Sequence, residues 1–182
     1  MIIGVGYRAR AGKDAIADHL VEHHGFIRAA FADALKQACA EIFGLNKAQL
    51  YGKMKEEVDP FWNDTPRNIL QKVGTECLRR GYRDDVWVKA LERRVVDHPT
   101  AYRVNWIISD VRFPNEANAV KRWGGVVWRV DRPDLPQIAT SGHASETSMQ
   151  DFKGWDHVIL NDGTITDLHL RVEAALDSVR RR

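Results

Sequence analysis

Short apolar runs alternate with amphipathic stretches along this chain, and the two spacings predict strands and helices in turn. Residues 1–6, MIIGVG, are apolar without alternation, which suits a strand buried on both faces of a parallel sheet. After a turn, Ile16, Ala17, Leu20 and Val21 recur at helical spacing, and Gly25 supplies a helix stop. FIRAAF, residues 26–31, predicts a second strand, and Leu35, Ala38, Cys39 and Ile42 mark one face of a helix over 33–43, followed by a turn at GLNK. Residues 51–65 are polar, charged and weakly periodic, and predict a mobile insertion. Thr65 as N-cap and Pro66 at the first helical position then start a helix expected to run to Gly81. Val86, Ala90, Leu91 and Val95 are spaced for burial on another helix.

The second half repeats the alternation. YRVNWIISD, residues 102–110, predicts a third strand that delivers Asp110 at its carboxyl end. NEANAVKRWGG reads as a short helix, VVWRVD (126–131) as a fourth strand, and DHVILND (156–162) as a fifth, while 132–153 carry little periodicity. Thr164 with Asp167 three residues on caps a closing helix, whose apolar stripe is Ile165, Leu168, Val172, Ala175, Leu176 and Val179. Strands alternating with helices predict an α/β fold: a parallel sheet covered on both faces, with right-handed crossovers and ligands at the carboxyl ends of the strands. A chain of 182 residues fits one such domain.

Charge narrows the partners. Lys+Arg of 27 against Asp+Glu of 25 leaves +2, so no chain-wide field draws the protein to nucleic acid or an anionic membrane, and neither is an expected partner. A polyanionic ligand must be held by a local site. Cys39 and Cys77 lack metal-ligand spacing and sit in predicted helices, as buried free thiols of a reducing compartment. Neither a leader pattern nor an apolar run near the ~20 residues of a membrane span is present, so a cytoplasmic protein is expected. The basic end RRR reads as solvated charge, and His143, without convincing partner ligands, as a surface or packing histidine.

The candidate site is GVGYRARAGKDAIADHL, residues 4–20. A glycine-rich turn that follows a strand, ends in Gly12-Lys13 and opens an amphipathic helix is the context of a phosphate-binding loop. Its backbone N–H groups and helix start can surround phosphate oxygens, with Lys13 as a mobile point charge. Asp14 stands where such loops carry Ser or Thr; a carboxylate is also a hard-oxygen ligand for Mg²⁺, and Arg8, Arg10 and the metal are expected to offset its charge. The first glycine of G-x-x-x-x-G-K falls at Tyr7, one residue after Gly6, so a loop one residue longer than usual is expected.

RAGKDAIADHL resembles the loop of the phage deoxynucleoside monophosphate kinases, small members of the nucleoside-monophosphate-kinase group in which G-K-D is a familiar variant. Further blocks match in order. AFADALKQACAEIFGL resembles their F-A-D-x-L-K segment, with Ala34 where proline is frequent, TPRNILQKVGTE their T-P-R-x-x-L-Q-x-x-G-T-E segment, and SDVRFPNEANAV their D-V-R-F-x-N-E block. HASE and VILNDGTITDL resemble the closing segments, so the likeness covers most of the chain. It implies a P-loop NTPase three-layer sandwich with a five-stranded parallel sheet, a helical monophosphate-binding insertion and a lid. In this chain the core would be 1–32 and 101–182, the acceptor-binding region about 33–100 and the lid about 131–153. The implied activity is transfer of the ATP γ-phosphate to a deoxynucleoside monophosphate, with Mg²⁺ as cofactor, in the host cytoplasm if the protein is phage-encoded, and with a homodimer as a candidate assembly.

A kinase of this kind holds two phosphate-bearing substrates in line, so positioning and charge neutralisation carry most of the catalysis. ATP is assigned to Arg10, Ala11, Gly12, Lys13, Asp14, Ala15, Arg129, Asn161 and Gly163, and the metal to Asp14 and Asp110. The monophosphate is assigned to Asp33, Lys36, Arg67, Gln71, Gly74, Thr75, Glu76 and Arg112; Arg67 lies at a helix start, with Gln71 four residues on along the same face. Lys13, Arg112 and Arg132 are the catalytic cations. Two other functions compete. A dephospho-coenzyme A kinase is disfavoured by the T-P-R and F-A-D-x-L-K segments, and a nucleotide-gated switch of the GTPase type by NKAQ, residues 46–49, which lacks the Asp of a guanine-reading N-K-x-D.

Overall fold

The computed structural model describes residues 1–97, 103–133 and 147–181. These form two compact units, 1–30 with 92–182, and 31–91. The first holds β1 (Ile2–Gly6), α1 (Lys13–His24), β2 (Ile27–Ala29), β3 (Trp106–Val111), α6 (Pro114–Arg122), β4 (Val126–Asp131), β5 (His157–Leu160) and α7 (Ile165–Arg180). The second holds α2 (Asp33–Phe43), α3 (Lys47–Tyr51), a 3₁₀ turn at Lys53–Glu56, α4 (Pro66–Gln71) and a π-helix at Lys72–Arg80; α5 (Val86–Val95) crosses the border.

In the first unit the strands form a five-stranded sheet in the order β2-β3-β1-β4-β5, with every pairing parallel. Non-alternating apolar sequence predicts this, because both faces are covered. Ile3 and Val5 of β1 join Ile16, Ala17 and Leu20 of α1, Leu168, Val172 and Leu176 of α7, and Trp128 and Val130 of β4 in one buried cluster. On the opposite face, a Cβ on Gly4 would lie 3.1 Å from Val120 of α6, so this glycine lets that helix approach. Helix, sheet and helix make the three layers. Register then places the site: Gly6 at the end of β1 is level with Val111 of β3 and Arg129 of β4. The chain leaving β1 emerges between two neighbouring strand ends, at the crevice where the strand order reverses.

Several expected boundaries shift. The second strand is confined to Ile27–Ala29, with Phe26 already turned into the core, and β5 covers His157–Leu160. Ile165 is 55 % exposed, because the first residue of α7 sits beside its capping box rather than on its stripe; Val21 and Ile42 are likewise exposed. The expected mobile stretch 51–65 has its own anchors. An Asn46–Gln49 capping box starts α3 where a turn was expected, and Gln49 donates to Asp59 at 2.7 Å. Asp59 also accepts from the backbone N–H of Phe61 and Trp62, and these bonds, with Gln49's first, hold its carboxyl below the usual range. The helix expected from Thr65 to Gly81 starts as predicted and then changes winding at Lys72. At Gly74 there is no room for a Cβ, which would come 2.5 Å from Leu35, and the Trp87 indole donates to the Gly74 carbonyl at 2.9 Å. Tight packing and a carbonyl drawn off by an indole favour the wider turn. Cys39 is buried, which pushes its thiol up to about 11, whereas Cys77, on the outer side of the π-helix, is exposed rather than buried.

Trp128 is fully buried at the centre of the first unit, whereas Leu170 of α7 is 64 % exposed. Trp128→Ala should lower the stability of this unit by about 3–5 kcal/mol, and Leu170→Ala by no more than about 0.5 kcal/mol. Urea unfolding followed by far-UV circular dichroism checks both; equal effects would contradict the core assignment.

Candidate active site

The loop between β1 and α1 is built on left-handed backbone. Tyr7 (φ 90°), Arg10 (φ 59°) and Gly12 (φ 111°) all lie in the region that favours glycine. Tyr7 therefore takes the glycine-type conformation itself, at the first-glycine position. The loop keeps the usual spacing to Gly12-Lys13 and is not lengthened. Its ring is packed from outside: the Arg129 guanidinium lies 4.0 Å from the ring centroid, Arg8 lies at 5.4 Å, and Trp155 meets the ring edge-on at 6.4 Å. A Cβ on Gly6 would stand 2.6 Å from the Val111 carbonyl, so the strand end admits only glycine.

Gly12 is the N-cap residue of α1 and brings no side-chain acceptor to the helix start, a setting whose amides suit an anion. Lys13 is 9 % exposed and folds back over the loop, donating to the carbonyls of Tyr7 (3.3 Å) and Arg8. Asn161, beyond the end of β5, donates to the Ala11 carbonyl at 2.8 Å. Its amide thus secures the loop rather than facing outward to a base. Gly163 is part of the turn that caps α7: Thr164 accepts from the Asp167 backbone, Asp167 accepts in return from Thr164, and these bonds hold the Asp167 carboxyl below the usual range. Ala15 lies half-buried in the first turn of α1.

Asp14 is paired with Arg28 of β2, which also reaches Asp18 at 2.8 Å and donates through Nε to Ser109 Oγ at 3.1 Å. Beside the counter-charge expected from Arg8, Arg10 and the metal, the protein itself supplies Arg28, while Arg8 lies against Tyr7. One guanidinium thus bridges the first turn of α1 to the residue preceding Asp110. Asp14 is 82 % exposed at its side chain and Arg28 38 %, so the pair is weak, about 0–1 kcal/mol, and opens readily. Asp110 lies on β3, one residue before its end at Val111. Hard oxygens from Asp14, Ser109 and Asp110 fit a small divalent cation by donor type. Arg112 follows at once, where its backbone N–H and that of Phe113 donate to the buried Glu116 carboxylate at 2.8 and 3.1 Å. Glu116 of the SDVRFPNEANAV block fixes the chain that presents Arg112.

Arg129 is held on the other side of the loop, with Nε 2.8 Å from Asp131. Arg132 is exposed just beyond β4. Most of the expected lid, with the HASE block and His143, lies outside the described residues.

The remaining predicted positions belong to the second unit. Asp33 and Lys36 share the first turn of α2, and Lys36 lies 4.0 Å from the centroid of the Tyr51 ring. Thr65 caps α4 as predicted, accepting from the Asn68 N–H at 3.2 Å. Beside it Asp64 takes Lys72 at 2.8 Å and Asn68 at 2.9 Å, and its carboxyl is held low by Lys72 first. Arg67 donates through Nε to Glu56 at 2.5 Å, one turn of chain that sequence spacing gave no reason to connect. Both side chains are partly exposed, so this pair too is weak and exchangeable for a phosphate, which a guanidinium grips with two parallel bonds. Gln71 ends α4 half-buried, while in the π-helix Gly74 and Thr75 are buried and Glu76 is exposed. Gly74 lies close against Leu35 of α2.

Sequence reasoning missed Arg28, Glu56 and Glu116. An arginine inside the otherwise apolar FIRAAF was the one visible signal, since a charge in a strand needs a partner.

Comparison of sequences with known proteins converges on one group. Residues 61–172 match the sequence profile of the family described as deoxynucleotide monophosphate kinase. A putative deoxynucleotide monophosphate kinase of Acanthamoeba polyphaga mimivirus is 35 % identical over 98 % of this chain and 97 % of its own length. The deoxynucleotide monophosphate kinase of Escherichia phage RB69 is 26 % identical over 69 % of this chain, which spans 51 % of that longer protein. Among solved structures, dephospho-CoA kinase from Campylobacter jejuni superposes with a TM-score of 0.54 at 15 % identity, covering 98 % of this chain and 96 % of its own, a likeness of fold. The sheet order, the loop at the end of β1 and the matching profile agree: the chain has a P-loop α/β fold and belongs to the deoxynucleotide monophosphate kinase family.

Proposed function

We propose that this protein transfers the γ-phosphate of ATP to a deoxynucleoside monophosphate, giving the diphosphate, with Mg²⁺ as cofactor, in a setting such as the host cytoplasm. The observation that carries this reading is the loop itself: an uncapped helix start and a folded-back lysine at the carboxyl end of the central strand, in a chain of this family. Residues 10–15 would hold the ATP phosphates, and Arg129 and the turn at Asn161 and Gly163 the nucleoside side. Asp14 and Asp110 would hold Mg²⁺, which supplies charge neutralisation between phosphate groups when bound. Arg28 then turns from Asp14 to solvent or to its other partners. Arg67, Gln71, Asp33 and Lys36 on the 31–91 unit would receive the monophosphate, with Arg112 shared between acceptor and transferring group.

The acceptor is already a phosphate oxygen, so no strong base is needed. Lys13, Arg112 and Arg132 act by following negative charge as it develops. The dephospho-coenzyme A kinase alternative rests on fold likeness, whereas the 35 % identity favours the monophosphate kinase. A panel of ribo- and deoxyribonucleoside monophosphates and dephospho-coenzyme A with ATP and Mg²⁺, read as ADP formation, tests the reading. ADP formation that requires a deoxynucleoside monophosphate supports it; turnover of dephospho-coenzyme A alone overturns it.

Lys13→Ala should fold normally and reduce kcat/KM by orders of magnitude; wild-type turnover in a folded variant would remove the phosphate-loop assignment. Asp14→Asn should raise the Mg²⁺ concentration needed for half-maximal rate, and Asp14→Ser should retain substantial activity because a hydroxyl is the usual group at this position. Unchanged Mg²⁺ dependence in both would exclude a metal role. Arg67→Ala should raise KM for the monophosphate about ten- to hundred-fold with little change for ATP, since a charged hydrogen bond contributes roughly 1.5–3 kcal/mol. Steady-state kinetics with each substrate varied in turn checks this, and an equal rise in both KM values would contradict it.

A further inference from the structure

Away from the phosphate loop, the first unit gathers imidazoles. α1 contributes His19, His23 and His24, and α7 contributes His169 and Glu173. His19 Nε2 and His24 Nε2 converge on one oxygen, Glu173 Oε1, at 2.6 and 2.7 Å. His169 stacks on His19 with centroids 4.1 Å apart, and His23 lies 4.7 Å from the same ring. His19 is 8 % exposed, and its Nδ1 is buried with no hydrogen-bond partner among the described residues. A helix-to-helix clamp needs one imidazole and one carboxylate; the second imidazole on the same oxygen, and the crowd of rings around it, exceed that need.

We propose that His19, His24 and Glu173 form a binding site for a divalent transition-metal ion of the Zn²⁺ type, joining α1 to α7. One donor atom from each of the three lies within 4.8 Å of the others. Two imidazole nitrogens and one carboxylate oxygen, with a further position left for water, are a known zinc donor set. In a tetrahedral sphere with bonds of 2.0–2.1 Å the donors stand about 3.3 Å apart, so the present contacts must widen by roughly 0.7 Å. Glu173 is 39 % exposed at its side chain, which allows that adjustment and gives the ion an entry path. With Nε2 on the ion, each ring carries its proton on Nδ1. Arg180, now 3.3 Å from His24 Nδ1, then turns away from its exposed position at the end of α7. The ion would act as a cross-link: it binds the folded pair of helices and not the unfolded chain, and so stabilises the fold. His19 is six residues along α1 from Lys13, about 9 Å of helix rise, which separates this site from the phosphate loop.

The test uses untagged, chelator-stripped full-length protein, titrated with Zn²⁺ in a thermal-unfolding assay and with Co²⁺ by visible absorption. The expected results are saturation at one equivalent, a rise in Tm with Zn²⁺, and the ligand-field bands of low-coordinate Co²⁺. His24→Ala and Glu173→Ala, both at partly exposed positions, should each weaken binding at least about tenfold, given that loss of an outer-sphere partner alone commonly costs that much. Asp14→Asn should leave the binding intact, which separates this site from the nucleotide site. Absence of both the Tm shift and the visible bands at about 1 mM ion would overturn the proposal. So would undiminished binding in His24→Ala and Glu173→Ala, or loss of binding in Asp14→Asn.

Discussion

Everything at the active site depends on how the chain gets from Gly6 to Lys13. Three residues of that loop take left-handed backbone, and two of them, Tyr7 and Arg10, are not glycine. Each non-glycine residue held there costs on the order of 1–2 kcal/mol, which the surroundings must offset. They do so with named contacts: Arg129 against the Tyr7 ring, Asn161 on the Ala11 carbonyl, and Lys13 over the carbonyls of Tyr7 and Arg8. Those contacts come from the ends of β4 and β5 and from the loop itself. The parallel sheet register that sets Gly6 level with Arg129 is therefore also what fixes the shape of the phosphate loop.

Within each unit the electrostatics follow the same pattern. Two of the side chains proposed for the reaction, Asp14 and Arg67, are already engaged, in pairs weak enough to exchange. Arg28 sits on Asp14 and Arg67 on Glu56, all partly exposed and each pair worth about 1 kcal/mol or less. A phosphate or a divalent cation would offer several charged oxygens or two positive charges in place of one partner, so exchanging either native pair would carry no large penalty. Pairing in the free protein also keeps like charges, such as Asp14 and Asp18 on successive turns of α1, from destabilising that helix.

Much of this was legible in the sequence. The strand-loop-helix order, the Thr65-Pro66 and Thr164-Asp167 caps, Gly25 as a stop and the parallel sheet followed from apolar runs and local hydrogen-bonding chemistry, which act over a few residues. What was not legible depends on residues distant in sequence. The π-winding after Gln71 arises from Leu35 and Trp87, the partner of Asp14 comes from β2, and the partner of Arg67 comes from a short turn eleven residues earlier. Tyr7 misled in the opposite way: side-chain identity suggested a longer loop, but the backbone adopted the glycine conformation because packing on the ring compensates.

The proposed place for the ATP phosphates is the loop from Tyr7 to Ala15. Hydrogen–deuterium exchange of the full chain, with and without a non-hydrolysable ATP analogue and Mg²⁺, tests it directly, because loop amides that bond phosphate oxygens exchange slowly. Strong protection is expected in peptides covering 7–15, much reduced in Lys13→Ala. Unchanged exchange there at saturating analogue, with protection elsewhere in the chain, would contradict it.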